Sequence, residues 1–151
     1  MGDATAAHSE TDFGTNISLT APGIANIALG TSATSLKFIS MSKINLTAGS
    51  ATSTVVADGG ANVFTAGKAA LMVTGGAGAD SYVYHTGNAL LTISDFSAGK
   101  GDSITFDKSL QSVMKTASDG HGGTAVSFGT MSAGVDLTSV TAAPTSVFHW
   151  V

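Results

Sequence analysis

The chain has 151 residues, enough for one domain with a buried core, and 43% of them are hydrophobic, which excludes a disordered polymer. Only 11% are charged, the net charge is −4, there is no Arg, and the six Lys are scattered, which excludes nucleic acid as a partner. The absence of Cys excludes disulfides and thiolate metal sites, and fits a protein that crosses a secretion channel unfolded and reaches an oxidising exterior.

Nearly all the acid is Asp, with Glu10 the single Glu. Short carboxylates suit tight turns and hard-cation sites. With 19 Gly and only 2 Pro among abundant Ala, Ser and Thr, the composition favours closely stacked β turns over long helices.

Residues 1–12 read as a disordered tail, and Met1-Gly2-Asp3-Ala4 lacks the cationic start and apolar run of a signal peptide. Phe13 to Leu36 is uncharged but broken by Pro22, several Gly and many Ser and Thr, so no membrane span is expected. Residues 13–151 read as a single domain. Its first part, 13–45, is expected to hold less regular coils or a capping sheet, because Lys37 falls where the inward column of the next segment needs an apolar residue.

From residue 46 to 92 a nine-residue period takes over. Leu46, Val55, Phe64, Val73, Tyr82 and Leu91 are all large and apolar, and the next column, Thr47, Val56, Thr65, Thr74, Val83 and Thr92, is β-branched. A third column contains Gly49, Asp58, Gly67 and Gly76. One residue per nine then points inward, its neighbour points outward, and a Gly- or Asp-containing turn closes each half-coil. Two half-coils make an eighteen-residue coil, so the expected fold is all-β, a parallel β-roll. An ordinary β-sandwich with regularly spaced strands is the alternative.

Within the roll, Gly75-Gly76-Ala77-Gly78-Ala79-Asp80-Ser81-Tyr82-Val83 matches the calcium nonapeptide G-G-x-G-x-D-x-U-x at every specified position. Its glycines allow turns that aim carbonyl oxygens inward, Asp80 adds a carboxylate, and a stacked turn supplies the rest of a six- to eight-oxygen calcium shell. Eighteen residues earlier, Ala57-Asp58-Gly59-Gly60-Ala61-Asn62 puts Asn62 in the column of Asp80, with Asp58 and Gly60 close by. Asp95 is offset from that column but within reach of the row. On the opposite edge Leu71 stands where a ligand would be needed, with Lys68 nearby, so one or two calcium sites are expected, all on one edge.

Leu91-Thr92-Ile93-Ser94-Asp95-Phe96-Ser97-Ala98-Gly99-Lys100-Gly101-Asp102-Ser103-Ile104-Thr105-Phe106 follows. Together with the nonapeptide it resembles the C-terminal part of the RTX (repeats-in-toxin) proteins, whose calcium nonapeptides precede an I-x-D-F-x-x-G-x-D-x-I segment that closes the roll. The resemblance covers about residues 46–151. It implies a secreted protein, export by a type I secretion system through an uncleaved C-terminal signal, and folding triggered by external calcium. Gly76, Gly78 and Asp80 match the family's ligand turn, and Asp95 and Asp102 its closing acids. The chain departs from the family in having one perfect nonapeptide and Asn62 in place of Asp.

Residues 93–151 are then a closing cap. Lys108 to Lys115 has the apolar spacing of a short helix, Asp119-Gly120-His121-Gly122-Gly123 reads as a turn, and Thr124–Phe128 and Val135–Val140 as strands. The end, Val147-Phe148-His149-Trp150-Val151, is similar to the hydrophobic termini of type I substrates, with Phe148, Trp150 and Val151 as secretion-signal residues. It also suits a last strand packed on the core.

No catalytic motif completes itself. Gly67-Lys68 lacks the first Gly and the final hydroxyl of a phosphate loop, Ser81 breaks the dinucleotide pattern, and His8, His85, His121 and His149 lack metal-ligand spacing. Gly101-Asp102-Ser103 reads as a strand-initiating turn rather than an esterase motif. The expected function is a non-catalytic calcium-binding and secretion module, extracellular or at the cell surface. The alternatives are a carbohydrate-binding module of an extracellular polysaccharide-active enzyme, and a surface-layer or adhesin structural segment, or an ice-binding face built on the outward Thr ladder.

Overall fold

A computed structural model describes residues 17–20, 23–39, 43–130 and 134–151. The tail at 1–12 lies outside these. The first ten strands are β1 (Ile17–Thr20), β2 (Ile24–Ala28), β3 (Thr34–Ile39), β4 (Lys43–Thr47), β5 (Ser53–Val56), β6 (Val63–Thr65), β7 (Leu71–Thr74), β8 (Ser81–Tyr84), β9 (Leu91–Ile93) and β10 (Ser103–Phe106). Odd-numbered strands pair in parallel in one sheet and even-numbered strands in the other. The chain therefore winds as a β-solenoid, each coil giving one strand to each sheet.

Register shows what the period encodes. Leu46 pairs with Phe64 and Phe64 with Tyr82, while Val55 pairs with Val73, all at eighteen residues. The six residues of the apolar column are buried essentially completely between the sheets. Their β-branched neighbours point outward, half-buried or exposed. Phe64 and Tyr82 stack with ring centroids 5.5 Å apart, a contact worth about 1 kcal/mol beyond its area.

The segment before residue 46 corrects the expectation of irregular coils. Ile17 pairs with Leu36, Leu36 with Val55, and Ile27 with Leu46, so these coils are parallel and regular but nineteen residues long. The extra residue moves the inward position to Leu36 and Phe38, both buried, and leaves Lys37 exposed. Later coils lengthen again, with Val73 paired to Ile93 and Tyr82 to Ile104. In every case the extra residues fall in the turns, so inward residues still pair with inward residues and the inside–outside alternation survives.

After β10 the chain forms β11 (Met114–Ser118), β12 (Thr124–Phe128), β13 (Val135–Leu137) and β14 (Phe148–Trp150). β13 returns parallel to β9, β12 runs antiparallel to both β13 and β11, and β14 lies parallel to β10. The cap is thus antiparallel on one sheet and parallel on the other. The short helix is a 3-10 segment, Lys108–Val113, and the last two residues of the expected helix open β11 instead. Only Leu110 of that segment is buried and Val113 is exposed, so the apolar spacing did not mark a packed helical face. The strand expected at Val135–Val140 stops at Leu137.

Aromatic rings fill the closed end. Phe106 lies 5.2 Å from Phe128, 5.7 Å from Phe148 and 5.3 Å from Trp150, and Tyr84 stacks on Phe128 at 5.5 Å.

Candidate functional site

Turns joining the odd-numbered sheet to the even-numbered one stack along one edge, at 57–62, 75–80 and 94–102. The glycines of the nonapeptide make that stacking possible. Gly76 has φ +92°, and a Cβ there would strike the Asp58 carbonyl; a Cβ on Gly78 would strike the carbonyl of Gly60. The amide of Ala77 donates to Asp58 O at 3.0 Å, joining the two turns directly. Gly60 itself has φ +87°.

Just before β6, β8 and β10, a polar side chain reaches back one coil. Asn62 Oδ1 accepts from the Ile44 amide, Asp80 Oδ1 from the Asn62 amide, and Asp102 Oδ1 from the Asp80 amide, each at 2.9 Å. Asn62, Asp80 and Asp102 are each no more than 3% exposed. They form three rungs of a side-chain-to-backbone ladder.

The rungs differ at their second polar atom. Asn62 Nδ2 faces three carbonyl oxygens, those of Gly75 at 3.2 Å, Gly60 at 3.3 Å and Gly59 at 3.5 Å. Asp102 Oδ2 accepts from the Ser97 amide at 2.8 Å. Asp80 Oδ2 is buried without a hydrogen-bond partner, as is the Tyr82 hydroxyl. Both crowd the same face of Gly75, where a Cβ would collide with each of them. Burial, with smaller contributions from Asp102 and Asp95 and opposed by the backbone and side-chain amides of Asn62, pushes the Asp80 carboxyl from the ordinary 3.8 up to about 6. Burial and the neighbouring carboxylates push the Tyr82 hydroxyl up as well.

Asp95 reaches the row as the sequence suggested. Its Oδ1 accepts from the Gly75 amide and its Oδ2 from the Gly76 amide, both at 2.8 Å. Lys100, which has no role in the sequence motifs, donates to Gly76 O at 2.9 Å and lies 3.9 Å from Asp95 Oδ2. The signal for it was the longer coil between β8 and β10, whose additional residues include the 3-10 turn Ala98–Lys100. Asp58 is exposed and contributes its carbonyl to the stack.

The opposite edge is built otherwise. Leu71 is buried in the core, Lys68 is exposed, and a Cβ on Gly49 or Gly67 would strike a carbonyl of the turn beneath. Asp107 accepts from the Thr86 amide at 2.6 Å and pairs with His85 Nδ1 at 2.7 Å, which holds its carboxyl below the ordinary range. In the cap, the turn at 119–123 is tied by Asp119 Oδ1, which accepts from the His121 and Gly123 amides. Asp136 Oδ1, on the outward side of β13, is a further buried oxygen without a partner, a feature with no counterpart in the sequence motifs.

Of the terminal residues, Phe148 is buried, Trp150 packs on Phe106, and Val151 is exposed with its amide bonded to Phe106 O. Among the described residues no three His, Asp or Glu side chains converge as a metal cluster would, and no helix is long and apolar enough to cross a membrane. Comparisons with protein-family models, with curated proteins and with solved structures give no match for this chain.

Proposed function

We propose that this chain is a non-catalytic calcium-binding module from the C-terminal region of a secreted bacterial protein, related to the repeats-in-toxin family, exported by a type I system and stabilised by external calcium. The observation that carries this reading is the unpartnered Asp80 oxygen, buried in a glycine turn beside a second unpartnered oxygen on Tyr82. An ionised carboxylate oxygen in such a place costs several kcal/mol unless a proton or a cation meets it.

The residues fit one calcium ion rather than a row. Asp80 would supply the charged oxygen and the Tyr82 hydroxyl a neutral one, while the Gly75 and Gly76 carbonyls already accept from Asn62 Nδ2 and Lys100 Nζ. Calcium accepts such a mixed oxygen set with irregular geometry, and it would supply the positive charge that the buried carboxylate lacks. Asn62, Asp95 and Asp102 already spend their oxygens on backbone amides, so they act on the ion through the shape of the turn.

The carbohydrate-binding alternative has less support. Among the described residues Tyr82, Tyr84 and six Phe are buried and Trp150 is half-buried, so no exposed aromatic platform offers itself for sugar stacking. Equilibrium dialysis against calcium, with melting followed by circular dichroism, tests the proposal. One bound ion and a raised melting temperature are expected, both lost in Asp80→Asn. Absence of bound calcium at millimolar concentration, with an unchanged melt, would sink it.

A further inference from the structure

Asn62 and Asp80 occupy equivalent rungs eighteen residues apart, and each uses one oxygen to accept the amide of the rung before it. The Ile44 amide thereby fixes the orientation of the Asn62 carboxamide, because Oδ1 must face that donor and Nδ2 must then face the turn. There it meets the carbonyl oxygens of Gly59, Gly60 and Gly75. Three carbonyl dipoles converging on one point form a negative cradle that a cation or a hydrogen-bond donor must fill. An Asp at residue 62 could still accept the Ile44 amide, but its second oxygen would face three other oxygens.

One turn further along, Lys100 plays a similar part with a full charge. Its ammonium sits on the Gly76 carbonyl and near the Asp95 carboxylate. We propose that Asn62 and Lys100 are tethered substitutes for cations, Asn62 joining the 57–62 turn to Gly75 and Lys100 joining Gly76 to the 94–102 turn without an ion, so that ion dependence is confined to Asp80 between them. The Asn62 carboxamide does this by donation alone, and Lys100 does it while also opposing the approach of a metal ion to the Gly76 carbonyl. This deepens the calcium reading and rests on it for the Asp80 position only.

The test uses the whole chain and two variants, Asn62→Asp and Lys100→Met, with calcium stoichiometry from equilibrium dialysis and melting in chelator and in millimolar calcium. Asn62→Asp is expected to melt well below the parent in chelator, to recover in calcium, and to bind one more ion than the parent. Lys100→Met, a change at a side chain that is 41% exposed and so tolerable to the fold, is expected to bind calcium roughly tenfold more tightly. An Asn62→Asp variant that binds no additional ion and melts like the parent in chelator, or one that stays unfolded in calcium, counts against the proposal, as does unchanged affinity in Lys100→Met. If the parent binds no calcium while Asn62→Asp binds one, the calcium reading fails and this inference stands. If the parent and Asn62→Asp each bind one ion and melt alike in chelator, the inference fails and the calcium reading stands.

Discussion

Rungs 62 and 80 each cap the amide of the rung before and differ by one atom, an amide nitrogen against a carboxylate oxygen. At rung 62 the nitrogen finds three carbonyls, while at rung 80 the oxygen finds no hydrogen-bond donor. The glycine turn stacks in both places, so the stacking of this roll and its capacity for a charged ligand are separable properties. Glycine at residues 76 and 78 serves the first, and the choice between Asn and Asp governs the second.

The largest effect should come from breaking the stacking that both rungs share. Gly78→Val places a branched side chain against the Gly60 backbone carbonyl, where no flexible group can give way. A loss of more than about 3 kcal/mol is expected, with or without calcium, read by denaturant unfolding. If calcium fully restored this variant, the glycines would be serving the ion rather than the packing.

A second effect sharpens the contrast at rung 80. The Asp80 carboxyl is raised in the folded protein, so between its ordinary value of 3.8 and about 6 the folded state holds more protons than the unfolded one. Stability in chelator should therefore fall as pH rises through that window, by roughly 3 kcal/mol in total, and level off above it. Asp80→Asn should remove most of the slope, leaving what the burial-raised Asp136 carboxyl contributes, and be the more stable protein at neutral pH. A parent whose unfolding midpoint in chelator is flat from pH 4 to pH 7 would show that the buried oxygen is met by some other group.

The smallest effect concerns the second orphan. Tyr82→Phe deletes a buried hydroxyl without a partner and keeps the ring that stacks on Phe64. It should stabilise the ion-free protein by about 1 kcal/mol and weaken calcium binding. Stabilisation without any change in affinity would remove the hydroxyl from the ion's surroundings.

The sequence made the roll legible because one inward position recurs every nine residues and Leu46, Val55, Phe64, Val73, Tyr82 and Leu91 fill it without exception; it did not show that most strands bury a second residue two positions away, such as Ile44, Leu71, Tyr84 and Ile93. It hid the first coils because a nineteen-residue spacing shifts the frame by one and brings Lys37 into the inward column in place of Leu36. The alignment of Asn62 with Asp80 was legible too, since it depends only on spacing. What those side chains do was not, because a carboxylate that caps a backbone amide and one that awaits a cation are the same residue type at the same position. Strand β11 left little trace, since four of its five residues are exposed and its alternation is weak.

The closed end of the molecule carries a consequence for how the chain comes together. Strands in the regular coils meet partners eighteen to twenty-two residues away, whereas Val135 meets Leu91 and Phe148 meets Ile104 across forty-four. Closing the longer loop costs only about 0.8 kcal/mol more in chain entropy than closing an eighteen-residue one. The ring contacts around Phe106 more than offset that difference, so the final strand is held by contacts gathered in one place rather than by proximity along the chain.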